Sequence, residues 1–192
     1  MALGLITMKI YNYSLVGWRY SRFRVLSLCL LWVFAIALPV LAQDDKATQL
    51  IAEESLGGIK IDMAENNLTD LLGKPKEKST LTFLAGTGEY HQTWLYPDKG
   101  LEITLSAGES ETGAKTVKSF TASSGCGLAT AKGIKIGSSE ADVHKAYGSF
   151  EDKENASAAK KNSFVAGSIY GGILFTFKDN KVSSIFFGAA AE

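Results

Sequence analysis

The spacing of apolar and polar residues changes character three times along the chain. Residues 25–42 form one apolar run, from Val25 to Ala42. Helical spacing then follows, with Leu68, Leu71 and Leu72 at i, i+3 and i+4, and it recurs at Val143, Ala146 and Tyr147. Each stripe ends at a glycine, Gly73 (with Pro75 just beyond) and Gly148, and both glycines are expected to be left-handed helix stops. Asp62 with Glu65 three residues later predicts a capping box at the first helix, and at the second Gly137 or Ser138 caps with Glu140 in the place of Glu65. Residues 49–56 suggest an earlier helix. After each stripe the period becomes two, which predicts strands over residues 79–85, 89–96, 101–106 and 115–121, and again over 163–170, 173–178 and 182–187. Pro97-Asp98-Lys99-Gly100, Gly171-Gly172 and Asp179-Asn180 between them read as turns too short for crossovers, so both strand sets are antiparallel meanders. Residues 107–114 and 151–161 read as exposed loops.

The two helical stretches are also copies in sequence. Residues 58–73 and 133–148 align at a constant offset of 75, with Gly58/Gly133, Ile59/Ile134, Lys60/Lys135, Ile61/Ile136, Glu65/Glu140 and Gly73/Gly148 identical. Self-similarity at a fixed period marks a duplicated unit. The expected fold is therefore α+β, with two tandem repeats, each a short helical segment followed by an antiparallel β-meander sheet. The expected organisation is a signal peptide at 1–42, a lead-in with a possible helix at 43–57, repeat 1 at 58–124 and repeat 2 at 125–192.

Charge changes the picture of destination and partner. Lys9, Arg19, Arg22 and Arg24 precede the apolar run with no acidic residue among them, and Pro39 and then Val40-Leu41-Ala42 close it. That is the order of a secretory signal cleaved before Gln43, giving a periplasmic or secreted product; if the run stayed uncleaved it would anchor the chain in a membrane. Beyond Ala42 the chain has 16 Lys, no Arg and 20 Asp or Glu, a formal charge of −4. Nucleic-acid readout and attraction to an anionic membrane surface both lean on a positive field, so neither is expected. Only Cys126 remains after processing, which precludes an intrachain disulfide and suits a small buried side chain.

Leu72-Gly-Lys-Pro75, then Trp94-Leu-Tyr96, then an alternating strand and a closing strand resemble the module of the outer-membrane barrel-assembly lipoprotein family BamE (SmpA/OmlA). Two such modules in tandem resemble the fold of the β-lactamase inhibitor protein. The chain has neither the acylated Cys of the first nor the disulfides of the second, and its second unit lacks both the Pro and the Trp-x-Tyr. The resemblance implies a fold and a style of action, protein binding by a sheet face, and it transfers no inhibitory residue.

Candidate chemistry is thin. The run Gly108 to Thr116 departs from a phosphate-binding loop at Ala114 and precedes a strand pattern, so it reads as a hairpin loop. His91 and His144 have no metal spacing around them and read as structural or solvated. No catalytic residue, cofactor or metal site is expected. The aromatic strand is the richer signal. Tyr90, Gln92, Trp94 and Tyr96 share one face and His91, Thr93 and Leu95 the other, and the period leaves open which face is inward. Facing inward, Trp94 and Tyr96 pack under the helix. Facing outward, Tyr90, Trp94, Tyr96, Lys118, Phe120 and Tyr170 form a contact surface, since Trp and Tyr dominate interface energetics. The sequence reading is an exported, non-enzymatic protein-binding module with a partner in the cell envelope or outside the cell. Its alternatives are an envelope assembly or maintenance factor, and a small-molecule or lipid binder using the groove between helices and sheet.

Overall fold

The structure, a computed structural model, describes residues 47–153 and 162–190. The signal-peptide segment, the Gln43 cleavage point and most of the loop expected at 151–161 lie outside the described residues. Among them are three α-helices: α1 over residues 47–53, α2 (Glu65–Leu72) and α3 (Glu140–Tyr147). Eight strands follow the helices in two groups. They are β1 (Glu77–Lys78), β2 (Thr82–Leu84), β3 (Glu89–Tyr96), β4 (Leu101–Ser106) and β5 (Thr116–Ala122), then β6 (Ser163–Ser168), β7 (Gly171–Lys178) and β8 (Lys181–Gly188). The fold is α+β.

All the strands join one antiparallel sheet in the order β1-β3-β4-β5-β8-β7-β6, with β2 also paired to β3. The order 3-4-5 followed by 8-7-6 is a palindrome centred on β5 and β8, which pair at Phe120↔Phe187, Thr121↔Phe186 and Ala122↔Ile185. Hydrogen bonding around the two helix entries matches residue for residue. Asp62 N–H donates to the Val117 carbonyl and Gly137 N–H to that of Val182, while Glu65 N–H reaches Lys115 and Glu140 N–H reaches Asn180. Val117 N–H returns to Met63 as Val182 N–H returns to Ser138. The two lead-in turns also pair with each other, at Leu56↔Thr130.

These bonds correct the expected caps. Asp62 stands at φ +62° and its amide is spent on the β5 carbonyl, so it turns the chain and does not cap; the α2 N-cap is Ala64, without a side-chain hydrogen bond. At α3 the cap is Ser139, in a capping box with Asp142, one residue beyond the expected position. Ser139 hydrogen bonds hold the Asp142 carboxyl below the usual carboxylate range. Gly73 stops α2 at φ +80°, but Gly148 stands at φ −57° and continues into a 3₁₀ turn.

Among the described residues, the helices cover one face of the sheet. Leu50, Leu56, Ile59, Leu68, Val143 and Tyr147 form one core with Trp94, Ile103, Val117, Phe120, Ile173, Phe175, Ile185 and Phe187. Helix α1 docks on the second group of strands, although the sequence placed it with the first. Leu50 lies against Gly167, and the Glu54 carboxylate just after α1 accepts the Tyr147 hydroxyl proton. The Thr130 hydroxyl donates to the same phenol oxygen, at 2.7 Å. All three residues are buried, and burial first, then the Glu54 hydrogen bond, pushes the Tyr147 phenol well up. The expected turn at Gly171-Gly172 falls instead at residues 169–170, because Gly172 is held inside β7 by close backbone. A Cβ there would sit 2.5 Å from the Ala166 and Ser168 carbonyl oxygens.

Candidate functional site

The parity of β3 decides which side chains are available. Trp94 pairs with Ile103 and is 1 % exposed; Tyr96 and Phe120 are 4 % and 1 % exposed. The Trp94 indole donates to Gln92 Oε1 at 3.0 Å and carries the Lys78 ammonium 3.7 Å above its ring. Tyr96 donates to the Gly73 carbonyl at the end of α2, at 3.2 Å, and burial raises its phenol pKa. Trp94, Tyr96 and Phe120 are therefore core residues, and the outward placement of these three is corrected. The physical reason is apolar area: these rings are the largest surfaces on β3 and β5, and burying them against α2 and β8 outweighs leaving them wet.

The other three candidates are not brought together. Tyr90 is half-buried with its ring 5.2 Å from that of Phe83. Tyr170 is 71 % exposed at the β6–β7 turn. Lys118 lies on β5, where the register slips between Thr104 and Leu105; Ser119 opposes Thr104, Val117 opposes Leu105, and Lys118 is the extra residue of a bulge.

The face turned away from the helices carries a different constellation. His91↔Ser106, Thr93↔Thr104 and Thr104↔Ser119 are cross-strand pairs on that face. Thr93, Thr104 and Ser119 make an in-register row of hydroxyls across three strands, and cross-strand neighbours stand about 4.5–5.5 Å apart at Cβ. With Ser79, Thr80, Thr82, Leu84, His91, Lys118 and Ala189 they line a depression of about 460 Å³. At one end sits an ion cluster. Glu89 Oε2 accepts from Ser106 Oγ at 2.8 Å and contacts His91 Nε2 at 3.2 Å and Lys118 Nζ at 3.2 Å. The Ser106 hydrogen bond, then those of His91 and Lys118, hold the Glu89 carboxyl down at about 2. No local pattern signals this site, because its residues are ordinary hydroxyls and charges that only the sheet register aligns.

The remaining sequence candidates lie elsewhere. Residues 107–115 form the β4–β5 hairpin loop, as expected. Cys126 is buried. His144 stands edge-on to Phe164 at 4.7 Å and 3.8 Å from Glu140 on its own helix. Among the described residues no three His, Cys, Asp or Glu side chains gather as a metal site, and no helix is long and apolar enough to cross a membrane. Comparison with protein-family models, curated proteins and solved structures finds no match.

Proposed function

We propose that the chain is an exported, non-enzymatic protein-binding module acting through the helix-free face of its sheet. The observation that carries this reading is the row Thr93, Thr104 and Ser119 beside the Lys118–Glu89–His91 cluster on that face. Hydroxyls both donate and accept, so such a row suits a polar partner surface. The Glu89 carboxylate beside it gathers the Lys118 ammonium, the His91 ring and the Ser106 hydroxyl, an arrangement that holds this end of the face in shape. The helix–sheet interface, where a lipid would otherwise enter, is packed with Trp94, Phe120, Tyr147 and Phe175. On this reading the binding surface of the sequence analysis moves from the aromatic parity of β3 to the opposite one.

The same reading takes residues 58–124 and 125–192 as two copies of one unit, joined edge to edge through β5 and β8. Support comes from the palindromic strand order and from the hydrogen bonds that recur at offsets of 75 in the helix entries and 65 in the strands. Duplication then supplies a sheet wide enough to offer one continuous face. Export rests on the basic, apolar and small-residue order of residues 1–42, and N-terminal sequencing of the product should begin at Gln43.

Photo-crosslinking tests the function. A crosslinking amino acid placed at Thr93, Thr104 or Ser119 should give one common protein adduct in envelope or secreted fractions of the source cell. Placed at Leu71, exposed on α2, it should not. Adducts formed only from the helix side would overturn the reading.

A further inference from the structure

The row of hydroxyls on β3, β4 and β5 has a counterpart on the other half of the helix-free face. Ser163↔Thr176 and Thr176↔Ser184 are cross-strand pairs on β6, β7 and β8, and all three residues are half-buried, as Thr93, Thr104 and Ser119 are. The bulge recurs too. Phe177 opposes Val182 and Thr176 opposes Ser184, which leaves Ser183 as the extra residue where the first half has Lys118. Register relates the two rows. Adding 65 to the numbers of Phe120, Thr121 and Ala122 gives Ile185, Phe186 and Phe187, so the pair Phe120↔Phe187 becomes Ala122↔Ile185 and the pair Thr121↔Phe186 becomes itself. In register the halves are thus related by a half-turn about Thr121↔Phe186, with one row on each side of that axis.

The surroundings of the axis are not symmetric. Phe186 is directly opposite Leu174, both are half-buried, and neither belongs, among the described residues, to the helix-side core. They share the parity of Ser184 and Thr176 and so face away from the helices. Across the axis their places are taken by Thr121 and Glu102, which also oppose each other.

We infer that Ser163, Thr176 and Ser184 are a second contact site of this face, and that one protein partner covers both rows and sets an apolar group on Phe186 and Leu174 between them. Separation decides for one partner. Thr104 and Thr176 stand three strand spacings apart, and their rows lie four residues apart along the strands, about 14 Å in each direction and about 20 Å in all. A standard protein contact takes about 800 Å² on each side, a patch about 28 Å across. Both rows therefore fall beneath a single partner of ordinary size, and a second partner has no room beside it. An aromatic ring suits the middle of such a contact, where aromatic residues are enriched. The asymmetry fixes which way round the partner sits, because a half-turn would lay its apolar group on Glu102. The inference rests on the helix-free face being the protein-binding surface and names the chemistry and the number of its occupants.

Placing the crosslinking amino acid at Thr176 tests this in the same cell fractions used for Thr104. The expected result is an adduct of the same mass from either position, and from the doubly labelled protein a single partner molecule joined at both. Phe186→Ser should lower the yield of the Thr104 adduct at least tenfold, with circular dichroism showing that the variant stays folded. Thr176→Arg, a change at a half-buried surface hydroxyl, should lower it as far and decides the matter if Phe186→Ser unfolds. An adduct from Thr104 alone, unaffected by Thr176→Arg, would overturn the second site and leave the face reading intact. A different protein at Thr176, or two partner molecules on the doubly labelled chain, would overturn the shared partner. Adducts from neither position would overturn the inference and the reading together.

Discussion

Gly73 and Gly148 occupy equivalent positions in sequence, yet alanine should change stability with opposite sign at the two. Gly73 stands at φ +80° and ψ −174°, a region open in practice only to glycine. A Cβ there meets nothing within 4 Å, so the whole cost is backbone strain, about 1–3 kcal/mol. Gly148 stands at φ −57° and ψ −28°, an ordinary helical conformation, and its Cβ would also meet nothing within 4 Å. Alanine fits that conformation and restricts the unfolded chain, which should stabilise by about 0.4–1 kcal/mol. The two variants should therefore differ by about 1.4–4 kcal/mol, read by urea unfolding of the mature protein with the slope unchanged. In a chain of this size that corresponds to a separation in Tm of several degrees. Equal losses at both glycines, the result a shared left-handed stop requires, would refute the backbone geometry described for α3.

Trp94→Ala should cost about 3–5 kcal/mol in the same unfolding assay, as a buried ring does; a variant as stable as the parent would return Trp94 to the surface. Tyr147→Phe removes the hydroxyl between buried Glu54 and Thr130 and should destabilise by about 1–3 kcal/mol, and a neutral result would mean that this contact does not tie α1 to α3. The Glu89 carboxyl, held from 4.5 down to about 2, contributes stability above its unfolded value that is lost as pH falls through the folded one. The stability gap between parent and Glu89→Gln should thus be constant above pH ~5 and close between pH ~4.5 and ~2, whereas a gap unchanged over that range would contradict the cluster.

Strands β3 and β4, bounded by strong turn chemistry, were legible to the residue. Alternation between the charged flank at Glu89 and Pro97-Asp98-Lys99-Gly100 marks β3 and β4, and Asp179 and Asn180, both at positive φ, form the two-residue turn their types favour. Helices α2 and α3 were legible from their apolar positions, although Leu71 of the first stripe is left exposed. What failed depends on contacts that no local pattern carries. The choice of cap was decided by the carbonyls of β5 and β8, which take the amides of Asp62 and Gly137. The place of the β6–β7 turn was decided by the backbone crowding Gly172. Parity on β3 was undecidable from period two alone, because Trp94 and Thr93 alternate equally well and only the position of α2 and β8 buries one of them. The hydroxyl row was invisible for the same reason: Thr93, Thr104 and Ser119 are distant in sequence and meet only through register and a bulge.

The claim that function resides on the helix-free sheet face is tested most directly by the affinity of the protein crosslinked from that face. Measured by surface plasmon resonance, Thr104→Arg should weaken its binding at least about 30-fold, the loss expected for a charge placed in the centre of an interface. Leu71→Arg on the helix side should leave the affinity within about twofold, as surface positions away from a contact do. Full affinity in the Thr104→Arg protein together with loss in the Leu71→Arg protein would contradict the account.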